Sequence, residues 1–96
     1  MVLSITYDLH NPGQDYRKVH QYIVSQAGPG RYLHAEGSVW FVDSATSPET
    51  WQERLSTVTD TNDEVIVARL ARNVYWGNAP KRAALKAWFG SSTRTW

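Results

Sequence analysis

An aspartate and a histidine stand together where the first apolar run of the chain ends. Residues 2–9 alternate between apolar and mostly polar side chains, which is the period of a half-buried strand. Asp8 lies at the carboxyl end of that strand, and His10 opens the loop that follows. A carboxylate at this place binds loop amides, or it forms half of a site that another group completes. Histidine exchanges protons near neutral pH, so Asp8 and His10 are the candidate catalytic residues.

Basic and aromatic residues alternate in the last third of the chain. All nine acids precede residue 65, whereas six of the ten bases follow it. Bases interleaved with rings bind single-stranded nucleic acid through its phosphates and its bases. The same composition also suits a basic segment that docks on an acidic body, or one whose rings complete a partner's core. The candidate nucleic-acid-binding residues in this part of the chain are Arg69, Arg72, Lys81 and Arg82. Two further candidates, Arg17 and Lys18, lie in the first third of the chain.

Length and composition predict one small domain. The 96 residues are 42% hydrophobic, which is enough for a single modest core. We expect that core within residues 1–90, with residues 91–96 as a flexible tail. No apolar run approaches the roughly 20 residues that span a bilayer, and no leader segment opens the chain, so we expect a cytoplasmic protein without a membrane partner. The lack of cysteine excludes disulfides and thiolate zinc sites.

Periodicity and capping signals predict the elements that position these residues. Helical spacing indicates a helix over 16–27 with Asp15 as its cap, and Ser47 with Pro48 begins a second helix. A third helix is predicted over about 79–88, after a short strand near residues 74–76. The main strands are predicted over 2–9, 31–35, 38–43 and 64–70.

The order of these elements predicts the fold class. Strand, helix, strand, strand, helix, strand with right-handed crossovers gives an α+β protein of the ferredoxin-like βαββαβ type. Its four-stranded antiparallel sheet carries two helices on one face. The other face is left without helices, so we expect it to bind a second copy of the chain.

Several short motifs of this chain occur together in one known family. They are the strand at 4–9 followed by Pro12, the hairpin at 34–42, the segment 62–67, and two late tryptophans, Trp76 and Trp88. Over roughly residues 1–89 the chain resembles the small SinR-like family, which is related to the CRISPR-associated endoribonucleases of spacer acquisition. In that resemblance Trp76 and Trp88 correspond to anchors of the fold.

The resemblance implies a ferredoxin-like homodimer with nuclease chemistry. In the nuclease relatives, the first-strand aspartates of two subunits meet near the two-fold axis and bind a divalent metal, and Asp8 is the matching position. Paired Asp8 carboxylates would hold Mg²⁺ or Mn²⁺, while His10 assists and Arg17 or the C-terminal bases hold RNA or DNA. The loop at 10–14 lacks the second acid and the bases that are common in the nucleases. The alternative is a non-catalytic dimer that binds nucleic acid or another protein.

Overall fold

A computed structural model describes residues 1–10, 16–72 and 75–96. The described part is an α+β unit whose four strands form one antiparallel sheet in the order β2-β3-β1-β4. The four main strands, α1 and α3 agree with the predicted bounds to within one residue, and the predicted Asp15 cap lies outside the described residues. The second helix begins at Pro48 as predicted but ends at Leu55, before Val58, which the sequence places on its buried stripe. The elements are β1 (Val2–Asp8), α1 (Tyr16–Ala27), β2 (Tyr32–Glu36), β3 (Val39–Asp43), α2 (Pro48–Leu55), β4 (Glu64–Arg69) and α3 (Ala79–Phe89).

One face of the sheet, the inner face, packs against α1 and α2. Leu3, Ile5 and Tyr7 of β1 are buried there, because side chains two residues apart in a strand point to the same face. Trp40 and Val42 of β3 extend this core. The helical stripes that cover them are Val19 and Ile23 of α1 and Trp51 and Leu55 of α2, all buried.

Local signals begin α2 and end α1 where the sequence predicts. The Ser47 hydroxyl accepts the N–H of Thr50 at 3.2 Å, and Pro48 occupies the first turn of α2, so a donor that the helix leaves unpaired is satisfied. Gly28 ends α1 with a φ of +88°, a conformation that side chains with a Cβ rarely adopt.

The opposite face of the sheet, the outer face, is partly covered by α3. Leu85 and Phe89 of α3 are buried against Val2 and Phe41. The expectation that this face lacks helices is therefore wrong. The cause is the apolar character of β3 on both faces, which needs a cover on each side. The uncovered part lies around Ile66, whose side chain is exposed.

The short strand predicted near residues 74–76 is not seen in its described part. Tyr75 and Trp76 lie in irregular structure, and Val74 lies outside the described residues. The ring of Tyr75 stacks on Phe89 with centroids 4.6 Å apart. Packing against α3 therefore takes the place of strand pairing for this segment.

Asp43, at the end of β3, is the one buried acid among the described residues. Its carboxylate lies 2.9 Å from Nη1 of Arg31, 3.7 Å from Nη1 of Arg94 and 3.7 Å from the amino group of Met1. It also accepts the backbone N–H of Thr95 at 2.8 Å and the Thr95 hydroxyl. This one carboxylate therefore connects both ends of the chain to the sheet.

Residues 91–96, for which the sequence predicts a flexible tail, contact the domain along their length. The Arg94 side chain is only 5% exposed, and its guanidinium lies 4.2 Å from the ring centroid of Trp88. The ring of Trp96 stacks on Phe89, and Arg69 donates to the Trp96 carbonyl at 2.8 Å. Part of the C-terminal basic charge is thus used inside the chain.

The contacts of Asp43 make its charge favourable in the folded state. Burial by itself would raise the pKa of Asp43, but the hydrogen bonds from Thr95, the positive charge of the Met1 amino group and the hydrogen bond from Arg31 outweigh burial and lower it. A lowered folded pKa stabilises the fold at pH values above that of the unfolded aspartate, about 3.9. That contribution is lost as the pH falls through the lowered folded value.

Replacement of Asp43 by asparagine (Asp43→Asn) should lower the free energy of unfolding at pH 7 by about 3 kcal/mol, because buried Arg94 loses its carboxylate. Urea denaturation between pH 7 and pH 3 measures this. The variant should also lose less stability than the wild type in the acid range. Glu53→Gln, on the exposed surface of α2, is the control and should change neither value. A variant as stable as the wild type at pH 7 would contradict the role given to Asp43.

Candidate metal centre

Asp8 and Glu64 lie side by side at the edge of the sheet where β1 ends and β4 begins. The strand register pairs them directly, and opposed residues of an antiparallel pair point to the same face. Nε2 of His10 lies 3.8 Å from Oδ2 of Asp8 and 3.8 Å from Oε2 of Glu64. One ligand atom of each residue lies within 4.8 Å of the other two. The predicted pair of Asp8 and His10 is thus brought together, and Glu64 joins it.

The backbone around His10 is fixed by a neighbouring acid. The N–H of His10 donates to Oδ1 of Asp63 at 2.9 Å, and Oδ2 of Asp63 accepts the N–H of Asp60 at 2.7 Å. Asp63 therefore joins the segment after β1 to the turn before β4. This link brings the imidazole to the edge where the two strands place their carboxylates.

The other side of β1 supports the position of Asp8. Nε1 of Trp40 donates to the Tyr7 hydroxyl at 3.1 Å. The ring centroid of His34 lies 4.0 Å from that of Trp40 in a stacked arrangement, and the His20 ring packs edge-on against Trp40 with a centroid distance of 5.3 Å. Burial, and then the neighbouring His34, lower the pKa of His20, so its neutral form is favoured. Tyr7 is therefore held by an aromatic cluster, and the adjacent Asp8 is held with it.

The site is open to solvent. The side chains of Asp8 and Glu64 are 68% and 72% exposed, and that of His10 is 42% exposed. A hydrated cation and a phosphodiester can therefore reach all three groups directly. Two facing carboxylates repel each other when no cation lies between them, so the site gains electrostatic energy when a cation binds.

The chemistry of these side chains fits a small divalent cation. Carboxylate oxygens are the ligands that Mg²⁺ and Mn²⁺ share. Two ligand atoms on opposite sides of an ion with bonds of about 2.1 Å lie about 4.2 Å apart. The ligand atoms of Asp8, His10 and Glu64 lie within 4.8 Å of one another, which is close to that separation. Small rotations of exposed side chains close that difference. Because Glu64 supplies the second carboxylate, one chain holds two acids without a partner's Asp8.

Sequence reasoning missed Glu64, although a signal for it exists. Glu64 is the first residue of β4 and Asp8 is the last residue of β1. In an antiparallel pair the end of one strand lies beside the start of the other, so pairing of these two strands places the acids together. A ferredoxin-like sheet already places the first strand beside the fourth, so the missing information was the register that sets Glu64 opposite Asp8.

The predicted nucleic-acid-binding residues are divided between the two faces of the sheet. Arg17 and Lys18 are exposed on the first turn of α1, which packs on the inner face. Lys81 and Arg82 lie on the first turn of α3, which packs on the outer face. Arg69 donates a hydrogen bond to the carbonyl of Trp96, and Arg72 is exposed after β4. The six bases therefore do not form one continuous patch.

Comparison of the chain with known proteins identifies no family. No family model matches the chain, and no curated protein matches it. The helices of the described ranges are too short or too polar to cross a bilayer. The chemistry of the site is therefore inferred from the side chains themselves.

Isothermal titration with Mn²⁺ should show one ion bound per chain, with an affinity that falls in acid because the ligands must lose their protons. Asp8→Asn and Glu64→Gln should each weaken Mn²⁺ binding by about tenfold or more. Glu49→Gln, which removes an exposed acid from α2, should leave it unchanged. Equal affinities for the wild type and Asp8→Asn would rule out this site.

Proposed function

We propose that the protein is a divalent-metal-dependent phosphodiesterase that cleaves RNA. Asp8, His10 and Glu64 form its active site. The observation that carries the proposal is the convergence of two carboxylates and an imidazole within 4.8 Å on an open sheet edge. Asp8 and Glu64 hold the cation. When bound, that cation polarises the phosphodiester and lowers the pKa of a bound water.

His10 is the residue that moves a proton in this proposal. Its Nε2 lies 3.8 Å from each carboxylate, beyond hydrogen-bond distance, and this supports a role for that nitrogen toward the substrate. The neutral imidazole accepts a proton from the attacking water as the new P–O bond forms. The leaving oxygen lies in line on the far side of the phosphorus and takes its proton from solvent as its P–O bond breaks. Asp63 maintains this geometry through the backbone N–H of His10.

The fold class and the family relationship belong to the same proposal. The strand order β2-β3-β1-β4, with α1 and α2 on one face, is compatible with a ferredoxin-like βαββαβ arrangement. The resemblance to the SinR-like family supplies RNA as the substrate. The lack of cysteine is consistent with the reducing conditions of the cytoplasm, which is the proposed location.

A homodimer is the proposed assembly. Ile66 is 65% exposed on the outer face, and it lies beside Thr6 in the same pair of strands that carries Asp8 and Glu64. An exposed apolar side chain on an uncovered sheet face favours contact with a second copy. A contact centred there would place two metal sites next to one dimer interface, so both would face the same RNA strand.

Wild-type protein should cleave a labelled single-stranded RNA in Mn²⁺ and lose that activity when a chelator removes the metal. Asp8→Asn and Glu64→Gln should reduce the cleavage rate at least about a hundredfold, because each removes one carboxylate ligand. Their melting temperatures in chelator should be no lower than that of the wild type, because each substitution removes one of two carboxylates that repel each other. Cleavage at the wild-type rate in Asp8→Asn would show that the activity belongs elsewhere. RNA binding without any cleavage would favour the non-catalytic alternative.

The role of His10 requires its own variant. His10→Gln should lower the cleavage rate by about a hundredfold while Mn²⁺ affinity stays within about threefold of the wild type. Paired measurements of cleavage and calorimetric Mn²⁺ binding separate these effects. A variant that loses Mn²⁺ binding instead would make His10 a metal ligand and remove its assignment as the proton carrier.

A further inference from the structure

Trp76 is a large apolar side chain that the fold leaves in solvent. It is 83% exposed, whereas Trp40 and Trp51 are each only 2% exposed. Trp88 and Trp96 pack against the cluster under α3. The resemblance makes Trp76 an anchor of the fold together with Trp88, whereas in the described part of this chain Trp76 belongs to neither hydrophobic core cluster. The exposed indole is therefore accessible to a ligand that could stack on it.

The residues on both sides of Trp76 are firmly attached to α3. Tyr75 stacks on Phe89, as described above. Gly77 lies so close to α3 that a Cβ at this position would come within 2.6 Å of Cδ1 of Leu85. The next carbonyl, that of Asn78, accepts the N–H of Arg82 at 2.9 Å. The indole is therefore presented from a backbone that is anchored before and after it, which reduces the ordering cost of binding.

Cations surround the exposed indole. The guanidinium of Arg82 lies 5.0 Å from the ring centroid of Trp76, and its Nε donates to the Gly77 carbonyl at 3.3 Å. Lys86 lines the hollow beside the ring, and Lys81 lines the adjoining groove, where Glu36 is the one acid.

These cations differ from the bases that the fold itself uses. Among the described residues, no carboxylate forms an ion pair with Lys81, Arg82 or Lys86, in contrast to Arg31 and Arg94, which lie against Asp43. Their charge is therefore available to an anionic ligand. We name the set of Trp76, Lys81, Arg82 and Lys86 the Trp76 platform.

We propose that the Trp76 platform binds single-stranded nucleic acid, with a base stacked on Trp76 and the phosphates near Lys81, Arg82 and Lys86. An exposed flat ring flanked by cations matches a ligand that has a flat base beside each negative charge. An acidic peptide would satisfy the charges but not the ring. The inference rests on the proposed function for RNA as the ligand, and it deepens that function by naming where the strand docks.

The test is binding of a labelled oligouridine of about twelve nucleotides in chelator, where metal-dependent cleavage is absent. Fluorescence anisotropy should show that Trp76→Ala weakens binding by about tenfold, and Trp76→Phe should recover part of the loss because a smaller ring still stacks. The melting temperature of Trp76→Ala should equal that of the wild type, since the side chain is exposed.

The contribution of charge is tested with a matched pair of variants. Arg82→Gln should weaken binding. It should also reduce the slope of the logarithm of affinity against the logarithm of salt concentration by about one, because one fewer counterion is released. Arg54→Gln removes the same charge from α2, on the inner side of the sheet, and should leave binding unchanged. Equal losses in the two variants would overturn the platform, because attraction would then depend on net charge alone.

Two further results would overturn the proposal. One is equal affinity of Trp76→Ala and the wild type for oligouridine. The other is equal affinity of the wild type for oligouridine and for an abasic strand of the same length and charge. Binding that depends on Trp76 supports the platform even where the cleavage assay is negative. Cleavage without such binding supports the metal centre and overturns the platform, so the two proposals fail separately.

Discussion

The hydrogen-bonded register of β1 determines the rest of this structure. β1 is a central strand that pairs with β3 on one side and β4 on the other. That register places Asp8 opposite Glu64 and also directs Leu3, Ile5 and Tyr7 into the core under α1 and α2. A slip of one residue would move every side chain of β1 to the other face of the sheet. Burial of the apolar face therefore stabilises the same alignment that assembles the candidate metal centre.

The two ends of β1 show how environment gives one residue type two different roles. Asp43 pairs with Val2 at the start of β1, where it is buried and surrounded by cations and hydrogen-bond donors that lower its pKa. Such a carboxylate is committed to the fold. Asp8, at the other end, is exposed beside a second acid and a histidine. A carboxylate that repels its neighbour and remains accessible is suited to a cation that enters from solvent.

Sequence alone predicts what depends on short-range patterns. Alternation, capping by Ser47 and the glycine after α1 predict the elements closely, and they place Asp8 next to His10. Sequence does not reveal contacts between distant segments. The neighbour of Asp8 across the sheet, the position of α3 on the outer face and the contacts of Arg94 with Asp43 all depend on long-range pairing. For the same reason the sequence does not distinguish a buried tryptophan from an exposed one at Trp76.

The most direct test of the metal centre is the position of a bound ion. Crystals of the protein equilibrated with Mn²⁺ and measured for anomalous scattering locate that ion without reference to activity. The expected result is one strong anomalous peak between the carboxylates of Asp8 and Glu64, within about 2.1–2.6 Å of an oxygen of each. A peak at other side chains, or density that leaves these two acids without an ion at saturating Mn²⁺, would contradict the central claim.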